Sequence, residues 1–146
     1  MAMLEENKAQ FRRTYDELFN QGNLAIAEEV VAPDFINHEV PPGLPNRGPE
    51  AMRQVVMMLR RAFPDLHFKV EELIAEGDTV AGRVTMSGTH QGPFMGIAPT
   101  GRSVQQAHIH FVRFVDGKAV EQRAVRDDLT LMRQIGIIPP APPRAS

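Results

Sequence analysis

Two histidines two residues apart, His108 and His110, lie in the run Gln-Gln-Ala-His-Ile-His-Phe-Val-Arg-Phe-Val, which ends at Asp116-Gly117. Strict alternation puts both imidazoles on one face of a strand. Asp-Gly tolerates the positive φ that both central positions of a type I′ turn need, so the run should fold back on the segment that begins at Lys118. With Val115 opposite Lys118, unbroken register brings Val112 opposite Glu121, His110 opposite Arg123, His108 opposite Val125 and Gln106 opposite Asp127. One sheet face would then carry two imidazoles, a guanidinium and two carboxylates. The other would carry Val120, Gln122, Ala124 and Arg126 from the second strand. A bulge anywhere in the hairpin would exchange these assignments beyond it.

Such a face is either a solvated surface or the polar wall of a pocket, and histidine and glutamine among β-branched and aromatic neighbours favour the pocket. There, Asp127 could remove or return a proton beside a carbonyl, provided partial burial strengthens it as a base. The same residue serves equally well as N-cap to the helix that follows, a duty Asp128 could take instead. Arg123 could hold a ligand carboxylate or enolate oxygen with its planar fork, or simply pair with Glu121. His108 and His110 could hydrogen-bond a ligand or bind a metal, with a third ligand from His90 or Asp127. The hydrogen-bonding reading is the stronger, because the glutamate of a cupin-type metal strand is missing where Arg113, Phe114 and Val115 stand.

The elements around the hairpin follow from pattern. Phe11, Tyr15, Leu18 and Phe19 recur at helical spacing between Leu4 and Gln21, and a short helix should span Leu24 to Val31 with Asn23 as its cap. A brief extended piece, Phe35 to His38, leads into a Pro- and Gly-rich loop. Pro49 opens a main helix whose stripe is Met52, Val55, Val56, Leu59 and Phe63. Two strands join at Glu76-Gly77-Asp78, the second bent or bulged at Gly82 and Gly88. The connection from His90 to Arg102 is too rich in Gly and Pro for a strand, yet Phe94, Met95 and Ile97 suit a core edge or a pocket mouth. A last helix, Leu129 to Ile135, ends at Gly136.

Helices preceding a four-stranded antiparallel meander predict an α+β fold with a curved sheet half-closed by helices around a cone-shaped cavity. Residues 1–138 form one expected domain and 139–146 a Pro-rich tail. Net charge is −2 with mixed signs, which offers no electrostatic footprint for nucleic acid or anionic membranes. With no cysteine, no disulfide framework is possible; with no apolar run of spanning length and no leader pattern, the cytoplasm is the expected compartment.

Three segments together, Gly-Thr-His-Gln-Gly-Pro-Phe-Met-Gly-Ile-Ala-Pro-Thr-Gly-Arg from Gly88, the hairpin from Phe111 to Gln122, and Arg-Asp-Asp-Leu-Thr-Leu-Met-Arg-Gln-Ile-Gly from Arg126, resemble SnoaL-like polyketide cyclases of the nuclear transport factor 2-like superfamily. The resemblance runs from the first helix to Gly136. It implies an NTF2-like cone-shaped barrel, an intramolecular aldol condensation without metal or organic cofactor, and a homodimer paired through the uncovered sheet face. It also implies Asp127 as acid/base; on the residues themselves, His110 and Arg123 are the groups expected to polarise a carbonyl. Asn37, His38, His108, Glu121, Tyr15, Phe94 and Met95 are the expected contacts to an apolar or polyketide-like small molecule. Arg123 stands where the family often has Trp, which replaces an aromatic wall by a cation. Two other functions suit the same residues: a non-catalytic binder of an apolar ligand with one acidic end, and a hydrolase that activates water against an epoxide or ester.

Overall fold

The computed structural model describes residues 3–144. Helix α1 (Leu4–Arg13) runs on into a π-helical turn, Thr14–Phe19; a 3₁₀ turn, Leu24–Ile26, leads into the single-turn α2 (Ala27–Val30). Strand β1 (Val31–Asn37) and helix α3 (Gly48–Ala62) follow, then β2 (His67–Glu76), β3 (Thr79–Thr89), β4 (Ser103–Val115), β5 (Lys118–Arg126) and α4 (Asp128–Ile135). The sheet order is β1-β5-β4-β3-β2. Strands β2 to β5 form the expected antiparallel meander. Strand β1 joins its edge parallel to β5, so the sheet is mixed rather than wholly antiparallel. The short helix stops one residue earlier than its pattern suggests, because Val31 is already extended and Pro33 lies in the strand that Val31 opens. Asn23 makes no side-chain cap there.

The helices bury one sheet face. In α3, Met52, Val55, Val56 and Leu59 are buried as a stripe, and Pro49 opens the helix where its missing N–H costs nothing. The π-helical turn carries Tyr15, Leu18 and Phe19 all inward. Asn20 then pins this corner to β2 with two hydrogen bonds to the Phe68 backbone, at 2.9 and 2.7 Å. Helix α4 ends as expected at Gly136, whose φ of +87° suits glycine. Its amide and that of Ile137 close on the carbonyls of Arg133 and Met132.

Gly82 serves close approach rather than bending. A Cβ there would lie 2.2 Å from the Phe11 ring, so its absence lets α1 sit down on β3. Strand β3 pairs with β4 without interruption, and the irregularity expected in β3 lies instead in β2, between Val70 and Glu72. Residues 139–144 of the Pro-rich tail adopt no helix or strand, and 145–146 lie outside the described residues, as do Met1 and Ala2. Among the described residues, no helix is long and apolar enough to cross a membrane.

Candidate active site

The β4–β5 hairpin turns at Asp116 and Gly117, both at positive φ. Val115 pairs with Lys118 and Phe114 with Ala119, but Arg113 pairs with Glu121, which leaves Val120 as the extra residue of a bulge. From there the partners are Val112–Gln122, Phe111–Arg123, His110–Ala124, Ile109–Val125 and His108–Arg126. The β1 strand paired on the other side of β5 is also irregular here, between Val31 and Ile36, the stretch that contains Pro33. Every β5 side chain beyond Val120 therefore faces opposite to the unbroken register.

This corrects two expected positions outright. Arg123 is exposed on the outer face opposite Phe111, and Glu121 is on that face beside Arg113, at 3.7 Å. His38 is exposed too, and its Nε2 lies 3.0 Å from a Glu121 carboxylate oxygen, away from the cavity lining. In their place the bulge turns Gln122 and Arg126 inward.

Asp127 is likewise outside the cavity lining. It is the N-cap of α4: its carboxylate accepts from the Thr130 amide at 3.1 Å and the Thr130 hydroxyl at 2.6 Å. These bonds hold its carboxyl below the ordinary value of 3.8. The next residue, Asp128, turns the other way and lines the cavity, where Oδ1 accepts from Gln106 Nε2 at 3.0 Å. No pattern in the sequence distinguishes the two neighbours; the cap geometry does.

The cavity has a volume of about 240 Å³ and lies between the inner sheet face, the π-helical turn, α3 and the loops after β1 and β3. Its apolar walls include Phe19, Met52, Leu59, Phe68, Phe94 and Met95. Tyr15 and Phe19 stack at 5.1 Å, and Tyr15 meets His110 edge-on at 5.6 Å. Pro42, Met95 and Asp128 are exposed at the rim, whereas Tyr15, Asn37, His108, His110 and Gln122 are buried in the floor. Asn37 Oδ1 accepts from the Glu39 amide at 2.9 Å, which leaves its amide N–H groups for other acceptors.

The floor is polar but uncharged. Burial pushes His108 down to about 3, and the positive charge of Arg126 adds to the effect. Burial, His108 and Arg126 together hold His110 well below the ordinary imidazole value. Burial likewise raises the Tyr15 phenol, which therefore remains a hydrogen-bond donor. Arg126 donates to the Glu39 carbonyl at 3.3 Å and has no carboxylate partner within salt-bridge distance among the described residues. An apolar chamber thus presents one cation without a carboxylate partner, Arg126, and two carboxylates in its lining, Glu39 and Asp128. His90 is fully buried against Phe63 and Phe94, with Nδ1 3.0 Å from the Thr100 hydroxyl, and it does not line the cavity as a third metal ligand would. Among the described residues, no group of three His, Cys, Asp or Glu side chains is placed to hold a metal ion.

A family model described as SnoaL-like polyketide cyclase matches residues 9–135. The chain belongs to the SnoaL-like polyketide cyclase family. Among its relatives, the aklanonic acid methyl ester cyclase DnrD of Streptomyces peucetius is 32% identical over 128 residues, 86% of this chain and 88% of that protein. The nogalonic acid methyl ester cyclase of Streptomyces nogalater is 31% identical over 120 residues, 81% and 89% of the two chains. The structure of TsrD from Streptomyces laurentii superimposes with a TM-score of 0.79 at 27% identity, covering 92% of this chain and 95% of that one. As a SnoaL-like protein this chain has the NTF2-like α+β architecture, four helices packed on a five-stranded mixed sheet. Arg123, expected to replace an aromatic wall by a cation, is on the outer sheet face and does not line the cavity.

Proposed function

We propose that this SnoaL-like chain closes a ring in a polyketide-derived methyl ester by intramolecular aldol condensation, with Asp128 rather than Asp127 as acid/base. The observation that carries this reading is the shared cavity of Asp128 and Arg126 among apolar walls. Asp128 would take a proton from the carbon next to a carbonyl, and Arg126 would hold the oxygen of the resulting enolate. The carbanion carbon attacks a second carbonyl of the same molecule, forming one C–C bond. The alkoxide then recovers the proton from Asp128. Because the proton removed is the proton returned, this chemistry balances without redox or a second reactant.

Tyr15 and the Asn37 amide are the donors suited to the carbonyl that is attacked, since both line the floor. His108 and His110, neutral and only weakly basic, contribute polarity rather than proton transfer. Phe94 and Met95 close over the apolar part of the ligand. A ligand with several fused rings exceeds the enclosed volume and must extend past Pro42 and Met95.

The outer sheet face supports a homodimer as the working form. Phe111 and Val125 are 54% and 76% exposed there, with Ile109 and Ile74 also exposed, a row of apolar side chains that a second copy would cover. A cytoplasmic setting agrees with the lack of cysteine. Incubation with aklanonic acid methyl ester, followed by chromatography and mass spectrometry, tests the reaction. An isomer of unchanged mass is the expected product, and incorporation of labelled solvent oxygen would instead indicate a hydrolase.

A further inference from the structure

Four hydrogen bonds join five side chains along the cavity wall. Gln106 Nε2 donates to Asp128 Oδ1 at 3.0 Å, and Gln106 Oε1 faces His108 Nε2 at 2.7 Å. His108 Nδ1 faces His110 Nε2 at 3.2 Å, and His110 Nδ1 faces Gln122 Nε2 at 3.1 Å. A carboxylate only accepts, so Gln106 must turn its NH₂ to Asp128 and its carbonyl to His108. That carbonyl also only accepts, which places the His108 proton on Nε2 and leaves a lone pair on Nδ1. His110 must then donate from Nε2, and its own Nδ1 accepts from Gln122. Each link removes the choice at the next.

We propose that Gln106, His108, His110 and Gln122 are positioning residues, a one-directional strut that holds Asp128 as an accepting carboxylate and keeps both imidazoles as neutral Nε2–H tautomers outside the proton transfer. The proposal rests on the reading of Asp128 as acid/base. The surroundings of the imidazoles agree with it. From β5 the charge that faces them is the Arg126 cation; from the π-helical turn comes Tyr15, and from β2 the Phe68 ring, edge-on to His108 at 5.6 Å. Glu39, Arg126 and Asp128 are the charged groups of the cavity wall, and no carboxylate among the described residues pairs with either imidazole. Running the strut backwards would turn the Gln106 carbonyl against an Asp128 oxygen, a contact that only a protonated Asp128 could satisfy, by donating its O–H to that carbonyl.

An amide can imitate a neutral Nε2–H imidazole, donating on one side and accepting on the other, but it cannot titrate. With aklanonic acid methyl ester as substrate, His108→Gln should hold kcat within about threefold of the wild type, as a conservative replacement that keeps both hydrogen bonds. His108→Leu frees Gln106 to rotate away, and kcat should fall by about tenfold with KM little changed, the size of a lost charge-assisted hydrogen bond. If His108→Gln is as impaired as His108→Leu, the imidazole has proton chemistry of its own and the strut is overturned. Independently of turnover, ¹⁵N spectra of the wild-type protein between pH 5 and 8 should show both imidazoles protonated on Nε2 alone. An imidazolium or an Nδ1–H tautomer would also overturn it. An active Asp128→Asn variant would remove the acid/base assignment while leaving this spectrum to decide the strut.

Discussion

Across the β4–β5 ladder His108 is paired with Arg126, so a buried imidazole has a cation, and no carboxylate, as its cross-strand neighbour. Burial first, and that cation second, tie the stability of the fold to pH. In the unfolded chain His108 binds a proton below its ordinary value of 6.5, whereas the folded protein refuses one until about 3. Between those limits the unfolded state holds more protons, so stability rises with pH and is lost as pH falls from 6.5. Each such histidine contributes about 1.4 kcal/mol per pH unit, and His110 acts in the same direction. Denaturant melts at pH 6.5 and pH 5 should show the drop, and a His108→Gln/His110→Gln variant should flatten it. Carboxylates held low by hydrogen bonds, such as Asp65 and Asp127, act at lower pH and do not confuse this window.

The two adjacent aspartates should separate cleanly. Asp128→Asn should abolish cyclisation with little change in melting temperature, because its carboxylate holds no helix cap. Asp127→Ala should retain turnover and lose about 1 kcal/mol of stability with the N-cap. Reversed results, with Asp127 needed for turnover and Asp128 dispensable, would return the acid/base role to Asp127.

Arg126 is expected to act on the ligand and on its neighbours together. Arg126→Gln should lower kcat/KM by roughly 10- to 100-fold, the equivalent of a hydrogen bond to a charged group. It should also raise the His108 titration, readable in the same imidazole spectra. Arg123→Gln, on the outer face, should do neither.

Gly82→Ala tests the packing of α1 on the sheet. The new methyl would overlap the Phe11 ring, and the cost should be about 1–3 kcal/mol in denaturant unfolding. Pairing it with Phe11→Leu should recover part of that loss.

The outer face offers a further check. Phe111→Glu should shift sedimentation toward monomer if the exposed apolar rows pair two copies, and an unchanged mass would exclude this face as the interface.

Much of the molecule was written in local pattern. Asp116-Gly117 specifies its turn because few residues accept positive φ; the period of Met52, Val55, Val56 and Leu59 specifies α3; and alternation along β4 assigns Gln106, His108 and His110 to one face, since that assignment needs only one strand. The facing of β5 needed two strands and a bulge. Val120 has no composition that announces an extra residue, and the parallel edge strand β1, with Pro33 in the irregular stretch alongside, is remote in sequence. That single unpaired residue exchanged Arg123 for Arg126 and Glu121 for Gln122 at the cavity. The choice between Asp127 and Asp128 was likewise closed to the sequence, because both are good caps and only the path of the chain into α4 decides which carboxylate turns to Thr130 and which to Gln106.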